Sequence, residues 1–275
     1  MITNLQDTVT LNNGVKMPGF GLGVYKMEDG QSVVQSVKAA LKHGYRLIDT
    51  ASYYHNEEGV GQAVRESGIP REEIFVTSKV WNDQQGYDNT LKAFEDSLEK
   101  LGLDYLDLYL VHWPVTGKFK DTYRALEKIY EEGKVRAIGV SNFQVHHLED
   151  LLKDCKVKPV INQVEYHPHL TQEELKVYCE KENIQLEAWA PLKRGGVFDE
   201  PIIQELSEKY RKTPAQVILR WDVQHNVVTI PKSVKEQRII ENADIFDFSL
   251  TKEEVKQIDS LNRNERSGPD PDTFV

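Results

Sequence analysis

Four side chains that could carry out acid catalysis follow three consecutive apolar segments of the sequence. They are Asp49, Tyr54, Lys79 and His112. A tyrosine hydroxyl, with an ordinary pKa of about 10, protonates an alkoxide slowly at neutral pH unless a cation stabilises the tyrosinate. Lys79 could supply that cation, Asp49 could keep the lysine charged, and His112 could donate a hydrogen bond to a carbonyl oxygen. The set predicts proton donation to an oxygen that becomes negative as a hydride reaches the neighbouring carbon.

Each of these residues also has a purely structural interpretation. Tyr54 could be a half-buried packing residue, Asp49 could cap the following turn, and His112 could be a hydrogen-bonded core histidine. Lys79 is the most informative of the four, because a lysine at the end of an apolar strand must find a partner. Their occurrence after three consecutive strands favours a shared catalytic role over four separate structural ones.

Neutral hydrogen-bonding residues and one tryptophan follow the next three apolar segments. Ser141, Asn142 and Gln163 carry groups that can hold a carboxamide, and Trp189 offers a flat face on which a nicotinamide ring could stack. The alternatives are a helix N-cap at Ser141 and Asn142 and a core position for Trp189. This side of the predicted site is therefore a candidate cofactor floor.

A basic segment follows the last apolar run. Lys232 and Ser233 precede a predicted helix, and Arg238 lies one and a half turns further on. Helix N-termini attract anions, and barrels often bind phosphate after their last strands, so these residues could bind a phosphate group. The alternative is a solvated basic face of the helix.

The elements that must position these residues alternate regularly between strands and helices. An opening hairpin is predicted from residues 8–11 and 15–17, because Asn12-Asn13-Gly14 between them tolerates positive φ angles. Eight strand-like runs follow at Gly19 to Leu22, Arg46 to Ile48, Ile74 to Thr77, Leu106 to Val111, Arg136 to Val140, Val160 to Val164, Gln185 to Ala188 and Val227 to Ile230. Helical spacing separates them, and extra helices are predicted at 202–210, 214–224 and 251–261. The pattern predicts an α/β fold, a (β/α)8 TIM barrel with an N-terminal β-hairpin and extra helices.

Composition limits the kinds of partner. The 275 residues include 34 basic and 44 acidic ones, and the net charge of −10 disfavours nucleic acid and anionic lipid. No apolar run approaches the roughly 20 residues of a membrane helix, and the first residues lack the features of a signal peptide. We therefore expect residues 1–275 to form a single domain, acting as a cytoplasmic monomer on a small molecule.

Cys155 and Cys179 each lie in a predicted helix, without the spacing of a zinc or redox site, and are expected to be free thiols.

Two other enzyme classes fit parts of the sequence less well. Glu165, His167 and His169 could hold a metal in a barrel hydrolase, but the first and eighth strand ends offer no matching ligands and Glu187 would be a weak second carboxylate. No metal is therefore expected. The glycine-rich segment 19–23 lacks the spacing and the later acidic residue of a Rossmann dinucleotide-binding fingerprint.

Several segments resemble the signature segments of the aldo-keto reductase family, and the resemblance covers essentially the whole chain. They are Asp49-Thr50-Ala51 with Tyr54 and Asn56-Glu57, Ser78-Lys79, His112-Trp113-Pro114, Gly139-Val140-Ser141-Asn142, Asn162-Gln163-Val164-Glu165 and Ile230-Pro231-Lys232-Ser233. The short loop after Pro114 and the tail 268–271 are similar to bacterial members that reduce glyoxal, methylglyoxal or diketo-sugar acids. Some relatives are non-catalytic channel subunits, but Tyr54, Lys79 and His112 are intact here.

The resemblance implies an NADPH-dependent reductase of aldehydes and ketones. It implies Tyr54 as the acid, supported by Asp49, Lys79 and His112. The implied cofactor-binding residues are Asp49, Ser141, Asn142, Gln163, Trp189, Leu192, Lys193, Arg194, Lys232, Ser233, Val234, Arg238, Glu241 and Asn242. Within this set, Lys232, Ser233 and Arg238 would bind the 2′-phosphate, and Asn242 would bind the adenine.

Two positions depart from the family pattern. Ala190 replaces a serine of many members, so one hydroxyl toward the pyrophosphate is missing, and Lys193 and Arg194 could compensate for it. Tyr25 replaces a tryptophan of several animal members, whose aromatic substrate preferences are therefore not expected here.

The substrate pocket is predicted to be lined by aromatic residues and one imidazole. They are Tyr25, Trp81, His112 and Trp113. The loop 115–120 and the tail 267–275 both look short, and the tail is rich in proline and aspartate, which predicts an irregular chain and a shallow mouth. Small, activated, polar carbonyl compounds are the expected substrates.

Overall fold

The computed structural model describes residues 2–274 and begins with a two-stranded antiparallel hairpin. Strands β1 (Thr8–Thr10) and β2 (Lys16–Pro18) pair with Val9 opposite Met17. Gly14, with a φ of 86°, makes the turn between them, and its N–H donates to the Leu11 carbonyl at 2.8 Å. The predicted hairpin is therefore confirmed.

Eight parallel strands form the barrel, each hydrogen-bonded to the next along the chain. They are β3 (Leu22–Gly23), β4 (Leu47–Asp49), β5 (Phe75–Val80), β6 (Leu106–Val111), β7 (Val135–Ser141), β8 (Ile161–Glu165), β9 (Gln185–Trp189) and β10 (Val228–Thr229). A parallel bridge between Phe20 and Thr229 joins the first strand to the last. The predicted (β/α)8 fold is confirmed, although regular pairing in the first strand covers only Leu22–Gly23 rather than the expected 19–22.

Glycine allows the first and last strands to approach closely. A Cβ atom added to Gly23 would lie 2.8 Å from the carbonyl oxygen of Ile230, and one added to Gly21 would lie 2.5 Å from the Leu47 side chain. The N–H of Gly21 donates to the Thr229 carbonyl at 3.0 Å. The glycine-rich segment near the N-terminus therefore serves barrel closure.

Ten α-helices cover the barrel and its ends. They are α1 (Gln31–Lys42), α2 (Glu57–Arg65), α3 (Tyr87–Leu101), α4 (Phe119–Glu131), α5 (Val145–Leu152), α6 (Glu173–Glu182), α7 (Pro201–Tyr210), α8 (Pro214–Gln224), α9 (Glu236–Ala243) and α10 (Lys252–Asp259) among the described residues. The helix predicted at 214–224 is present as α8, and Thr213 caps it, because its hydroxyl accepts from the Gln216 N–H in a capping box. Cys179 lies in α6 as predicted, but Cys155 does not lie in a helix, since α5 ends at Leu152.

The barrel core is apolar at its centre and polar at one end. Strands β5 and β6 are buried along their whole length, and apolar side chains from strands and helices form one continuous cluster. Buried polar side chains at or near the carboxyl ends of the strands include Asp49, Lys79, Ser141 and Gln163. Within residues 2–274 no helix combines the length and the apolar character needed to cross a membrane.

Candidate active site

Lys79 is the centre of the polar cluster at the carboxyl ends of the strands. It is fully buried on β5, and its Nζ donates to both Asp49 oxygens at 2.7 and 2.8 Å and to the Thr50 carbonyl at 2.9 Å. Burial alone would lower the pKa of Lys79, but the negative charge of Asp49 and the hydroxyl of Tyr54 outweigh it, so this pKa lies above its ordinary value. The ammonium group is therefore permanently charged at neutral pH.

Tyr54 presents its hydroxyl to that charge. It ends a short 3₁₀ turn, Ser52–Tyr54, and the Lys79 Nζ donates to its Oη at 3.3 Å. Burial raises the pKa of Tyr54 to about 12, and Lys79 offsets only part of this effect. The hydroxyl consequently keeps its proton at neutral pH and has a cation beside it to stabilise the anion left when the proton is transferred.

Asn56 fixes the loop that carries this tyrosine. Its Nδ2 donates to the carbonyls of Val24 and Met27 at 3.0 and 3.1 Å, and its Oδ1 accepts from the Thr50 hydroxyl at 2.8 Å. The next residue, Glu57, starts α2. Asn56 therefore ties the loops after β3 and β4 together.

His112 lies on the other side of Tyr54. The two ring centroids are 5.7 Å apart, and the Trp81 ring lies 5.0 Å from the imidazole. Burial, with a further contribution from Lys79, holds the pKa of His112 well below its usual range. The neutral ring carries one N–H, which a carbonyl oxygen placed beside Tyr54 can accept.

The residues expected at the nicotinamide are interlinked. Asn142, in the left-handed region at φ 63°, donates from Nδ2 to the His112 carbonyl at 2.9 Å and accepts from the Trp189 indole N–H at 2.8 Å. Ser141 donates to the Gln163 carbonyl at 2.7 Å. Neither Ser141 nor Asn142 caps a helix, because the N-cap of α5 is Gln144. Asn142 thus holds the tryptophan and the His112 backbone in a fixed relation.

Gln163 connects this floor to the catalytic cluster. Its Nε2 donates to Asp49 Oδ2 and to Glu187 Oε2, both at 2.9 Å. Glu187 is fully buried on β9, and sequence reasoning treated it only as a weak candidate metal ligand. Glu187 lies two residues before Trp189 and therefore on the same face of the strand, and this spacing could have indicated its role.

The basic segment lies after β10, as expected. Lys232 and Arg238 are exposed and make no ion pair with any residue between 2 and 274, whereas Ser233 is buried beside the N-terminus of α9. Val234 is 48% exposed, and Asn242 is buried on the same helix, where Glu241 is half-buried. Unpaired cations at a helix start fit an anionic ligand.

The segment after β9 contains Leu192, Lys193 and Arg194. Leu192 is half-buried and Arg194 exposed, while Lys193 forms an ion pair with Glu265 and contacts His169 Nδ1 at 3.0 Å. Lys193 therefore already has a negative partner in this structure, whereas Arg194 has none among the described ion pairs.

Two of the three possible metal ligands, Glu165 and His167, are hydrogen-bonded to each other, and the third has another partner. Glu165 accepts from His167 Nε2 at 2.9 Å, from the Ser267 N–H and hydroxyl at 2.5 Å and from the Gly268 N–H at 3.0 Å. Burial raises the pKa of Glu165, but these donors outweigh it and bring it to about 2. His169 instead pairs with Glu200. Glu165 is therefore an anchor for the C-terminal tail.

The anchored tail closes one side of the mouth. Gly268 packs so closely on the Trp189 ring that an added Cβ would come within 2.4 Å, and the Phe274 ring lies 4.6 Å from Trp113 and 6.2 Å from Trp81. The tail is irregular, as predicted, but it walls the mouth rather than leaving it open. Phe274 was missed because nothing in a Pro-Asp-rich tail indicates where it will pack.

The tip of the tail is held by α5. The Asp272 carboxylate lies 3.0 Å from His146 Nε2 and 3.6 Å from His147 Nε2. His147 Nδ1 accepts the Gln144 N–H at 3.1 Å, so the proton of its neutral ring is on Nε2, facing Asp272. This contact holds the tail next to Phe274.

Aromatic residues form the remaining wall of the mouth beside Tyr54. Tyr25 is 41% exposed with its ring 5.0 Å from Tyr54, and Trp81 stacks on Tyr53 at 3.7 Å. Trp113, by contrast, is buried against the tail. Tyr53 was not predicted as a lining residue, although its position next to Tyr54 in a turn could have indicated it.

Comparison with known proteins places this arrangement in a family. The sequence model of the Aldo/keto reductase family matches residues 19–263. The chain is 65% identical over 275 residues, the full length of both proteins, to glyoxal reductase of Bacillus subtilis (strain 168). The chain therefore belongs to the aldo/keto reductase family.

Solved structures of other proteins superpose closely on this fold. MGS-M4, an aldo-keto reductase from a deep-sea metagenome library, superposes with a TM-score of 0.95 at 48% identity, covering 98% of this chain and 100% of the other. A mutant of Gox0644 in complex with NADPH superposes with a TM-score of 0.94 at 42% identity, covering 98% and 99%.

We expect Glu165→Gln to loosen the tail, because an amide replaces one acceptor oxygen with a donor that faces the N–H groups of Ser267 and Gly268. Amides of residues 267–274 should exchange with deuterium about 10- to 100-fold faster, matching the roughly 1.5–3 kcal/mol of a hydrogen bond to a charged group. Mass spectrometry of the tail peptides measures this. Glu182→Gln, in an exposed pair with Lys158, is the control, and unchanged tail exchange in Glu165→Gln would refute the anchor.

Proposed function

We propose that the protein is an NADPH-dependent reductase of aldehydes and ketones in which Tyr54 donates the proton. The single observation that carries the proposal is the fully buried Lys79, 2.7 Å from Asp49 and 3.3 Å from the Tyr54 hydroxyl. A buried lysine that touches both a carboxylate and a phenol at the mouth of a barrel is suited to stabilising a tyrosinate. The bound cofactor would supply the hydride.

The roles of the other catalytic residues follow from their contacts. Lys79 stabilises the negative charge that develops on Tyr54, and Asp49 keeps this lysine charged and oriented. His112, neutral because of burial, donates a hydrogen bond to the carbonyl oxygen and places it beside the tyrosine. Each group acts on an oxygen that becomes negative during reduction.

We assign the cofactor to the candidate floor on β7, β8 and β9 and to the basic segment after β10. Gln163, Asn142 and Ser141 would hold the carboxamide, and the nicotinamide would stack on Trp189. Lys232, Ser233 and Arg238 would bind the 2′-phosphate, with Asn242 and Glu241 toward the adenine and Leu192, Lys193, Arg194 and Val234 along the rest of the molecule. The unpaired charges of Lys232 and Arg238 favour NADPH over NADH.

The substrates we propose are small dicarbonyl compounds such as glyoxal and methylglyoxal. Tyr25, Trp81 and Trp113 with Phe274 make an aromatic rim around Tyr54, and the tail narrows the mouth. Glyoxal reductase, the relative at 65% identity, carries a name that fits this substrate class. We further propose that the protein works as a single-domain monomer in the cytoplasm, without nucleic acid partners.

Tyr54→Phe should lower kcat for methylglyoxal by about 10²–10⁴-fold, because the proton donor is lost. Binding of NADPH, followed by quenching of tryptophan fluorescence, should remain nearly unchanged. The control is Tyr87→Phe, which removes an exposed hydroxyl at the start of α3. Retention of more than about a tenth of wild-type turnover in Tyr54→Phe would rule out the acid role.

Arg238→Ala should weaken NADPH binding by about 1.5–3 kcal/mol more than NADH binding, since only NADPH carries the 2′-phosphate. Dissociation constants for both cofactors measure the difference. Arg211→Ala, an exposed arginine after α7, serves as the control. Equal losses for NADPH and NADH would contradict the assignment.

Wild-type kcat/KM should be higher for methylglyoxal than for a steroid ketone or a long-chain aldehyde, because the tail and the aromatic rim wall the mouth around Tyr54. Phe274→Ala should shift the ratio toward the larger substrates by removing one wall. Steady-state kinetics with the three compounds tests both statements. A steroid preferred by the wild-type protein would refute the proposed substrate class.

A further inference from the structure

A second carboxyl group lies inside the barrel beside the catalytic cluster. Glu187 is fully buried on β9, in register with Gln163 on β8. Its Oε2 accepts from Gln163 Nε2 at 2.9 Å, and its Oε1 has no partner among the residues described. A carboxyl buried at this depth needs a reason, because its desolvation is costly.

A chain of hydrogen bonds leads from Glu187 to Tyr54. Gln163 Nε2 donates to Asp49 Oδ2 at 2.9 Å as well as to Glu187, so both of its hydrogens are used. Asp49 in turn binds Lys79, which contacts Tyr54. Glu187 therefore touches the catalytic set through one neutral amide.

The charges around Glu187 decide its protonation state. Burial raises the pKa of Glu187 and the Asp49 carboxylate raises it further, whereas the hydrogen bond from Gln163 and the charge of Lys79 lower it, and the balance brings it to about 8. Asp49 on β4 and Lys79 on β5 are the charged groups that act on Glu187, and Gln163 on β8 is a neutral donor to it. Lys79 is already paired with Asp49, so Glu187 stays neutral at neutral pH.

We infer that Glu187 is a positioning residue for carbonyl reduction, holding the Gln163 amide with its nitrogen toward the barrel interior and its oxygen toward the cofactor. The inference rests on the proposed function. With both hydrogens of the amide engaged, Gln163 Oε1 is the atom left to meet the cofactor, and it selects the NH₂ end of a carboxamide.

The same carboxyl also sets an upper pH limit. Ionisation of Glu187 places a second negative charge near Lys79, which raises the pKa of Tyr54 and weakens it as an acid. Turnover should therefore be full while Glu187 is protonated and should fall as the pH rises through its pKa. When the group cannot ionise, this loss of turnover moves to higher pH.

Two variants separate the two roles. Glu187→Gln keeps an oxygen that accepts from Gln163 but cannot ionise, so its dissociation constant for NADPH should stay within about twofold while its alkaline loss of kcat moves to higher pH. Glu187→Leu removes the acceptor, so NADPH should bind about three- to tenfold more weakly, as for one lost neutral hydrogen bond. Fluorescence titration and methylglyoxal kinetics across neutral and alkaline pH measure these effects.

Asp222→Asn is the matched control. Asp222 on α8 is also fully buried, with a pKa well above its ordinary value because of burial, but it binds Thr229 and makes no contact with the catalytic set. We expect this variant to keep the wild-type pH profile and NADPH affinity. If it shifts the alkaline limb as Glu187→Gln does, the effect belongs to buried carboxyls in general and the inference is wrong.

The remaining outcomes are equally decisive. A wild-type pH profile in Glu187→Gln, or wild-type NADPH affinity in a folded Glu187→Leu, overturns the inference while leaving the proposed reductase function intact. If Glu187→Leu fails to fold by circular dichroism, the pH profile of Glu187→Gln alone decides. Absence of carbonyl reduction by the wild-type protein would instead refute the proposed function, and the NADPH titrations would still test Glu187.

Discussion

The buried charge of Lys79 is the constraint on which the site depends. Removing an ammonium group from water costs several kcal/mol, and only good geometry with a counter-charge and further acceptors recovers it. Asp49 supplies two oxygens, and Thr50 and Tyr54 supply the rest. These contacts fix how the ends of β4 and β5 and the following turn lie relative to one another, so the position of the Tyr54 hydroxyl follows from solvating one lysine.

That constraint also governs the polar interior next to it. Because Lys79 is paired with Asp49, a second carboxyl group can be accommodated beside them only in its neutral form. A neutral amide then bridges the two carboxyl groups. Gln163 does this by donating to both Asp49 and Glu187. The proposed cofactor floor and the Asp49–Lys79 pair are thus parts of one network. For this reason we assign Glu187 a role in cofactor placement and in the pH range of the reaction.

A second network controls access. Glu165 anchors the tail through Ser267 and Gly268, and Asp272 attaches its tip to α5. Between these anchors the tail reaches the rim, where Phe274 packs on Trp113. Glu165, one of the residues that resembled a metal site, therefore shapes the mouth by holding a chain segment that lies about a hundred residues further along the sequence.

The alternation of apolar runs and helical spacing determined the barrel, and reactive residues after consecutive strands determined which side chains meet, because the carboxyl ends of parallel strands share one rim. Strand limits were less certain, as in the first strand, where only Leu22–Gly23 pair regularly. Only the tertiary structure decided the bridge from Gln163 to Asp49, 114 residues apart, and the anchor of Ser267 on Glu165, 102 residues apart. Such contacts depend on how strands and tail pack in space, and no local periodicity records them.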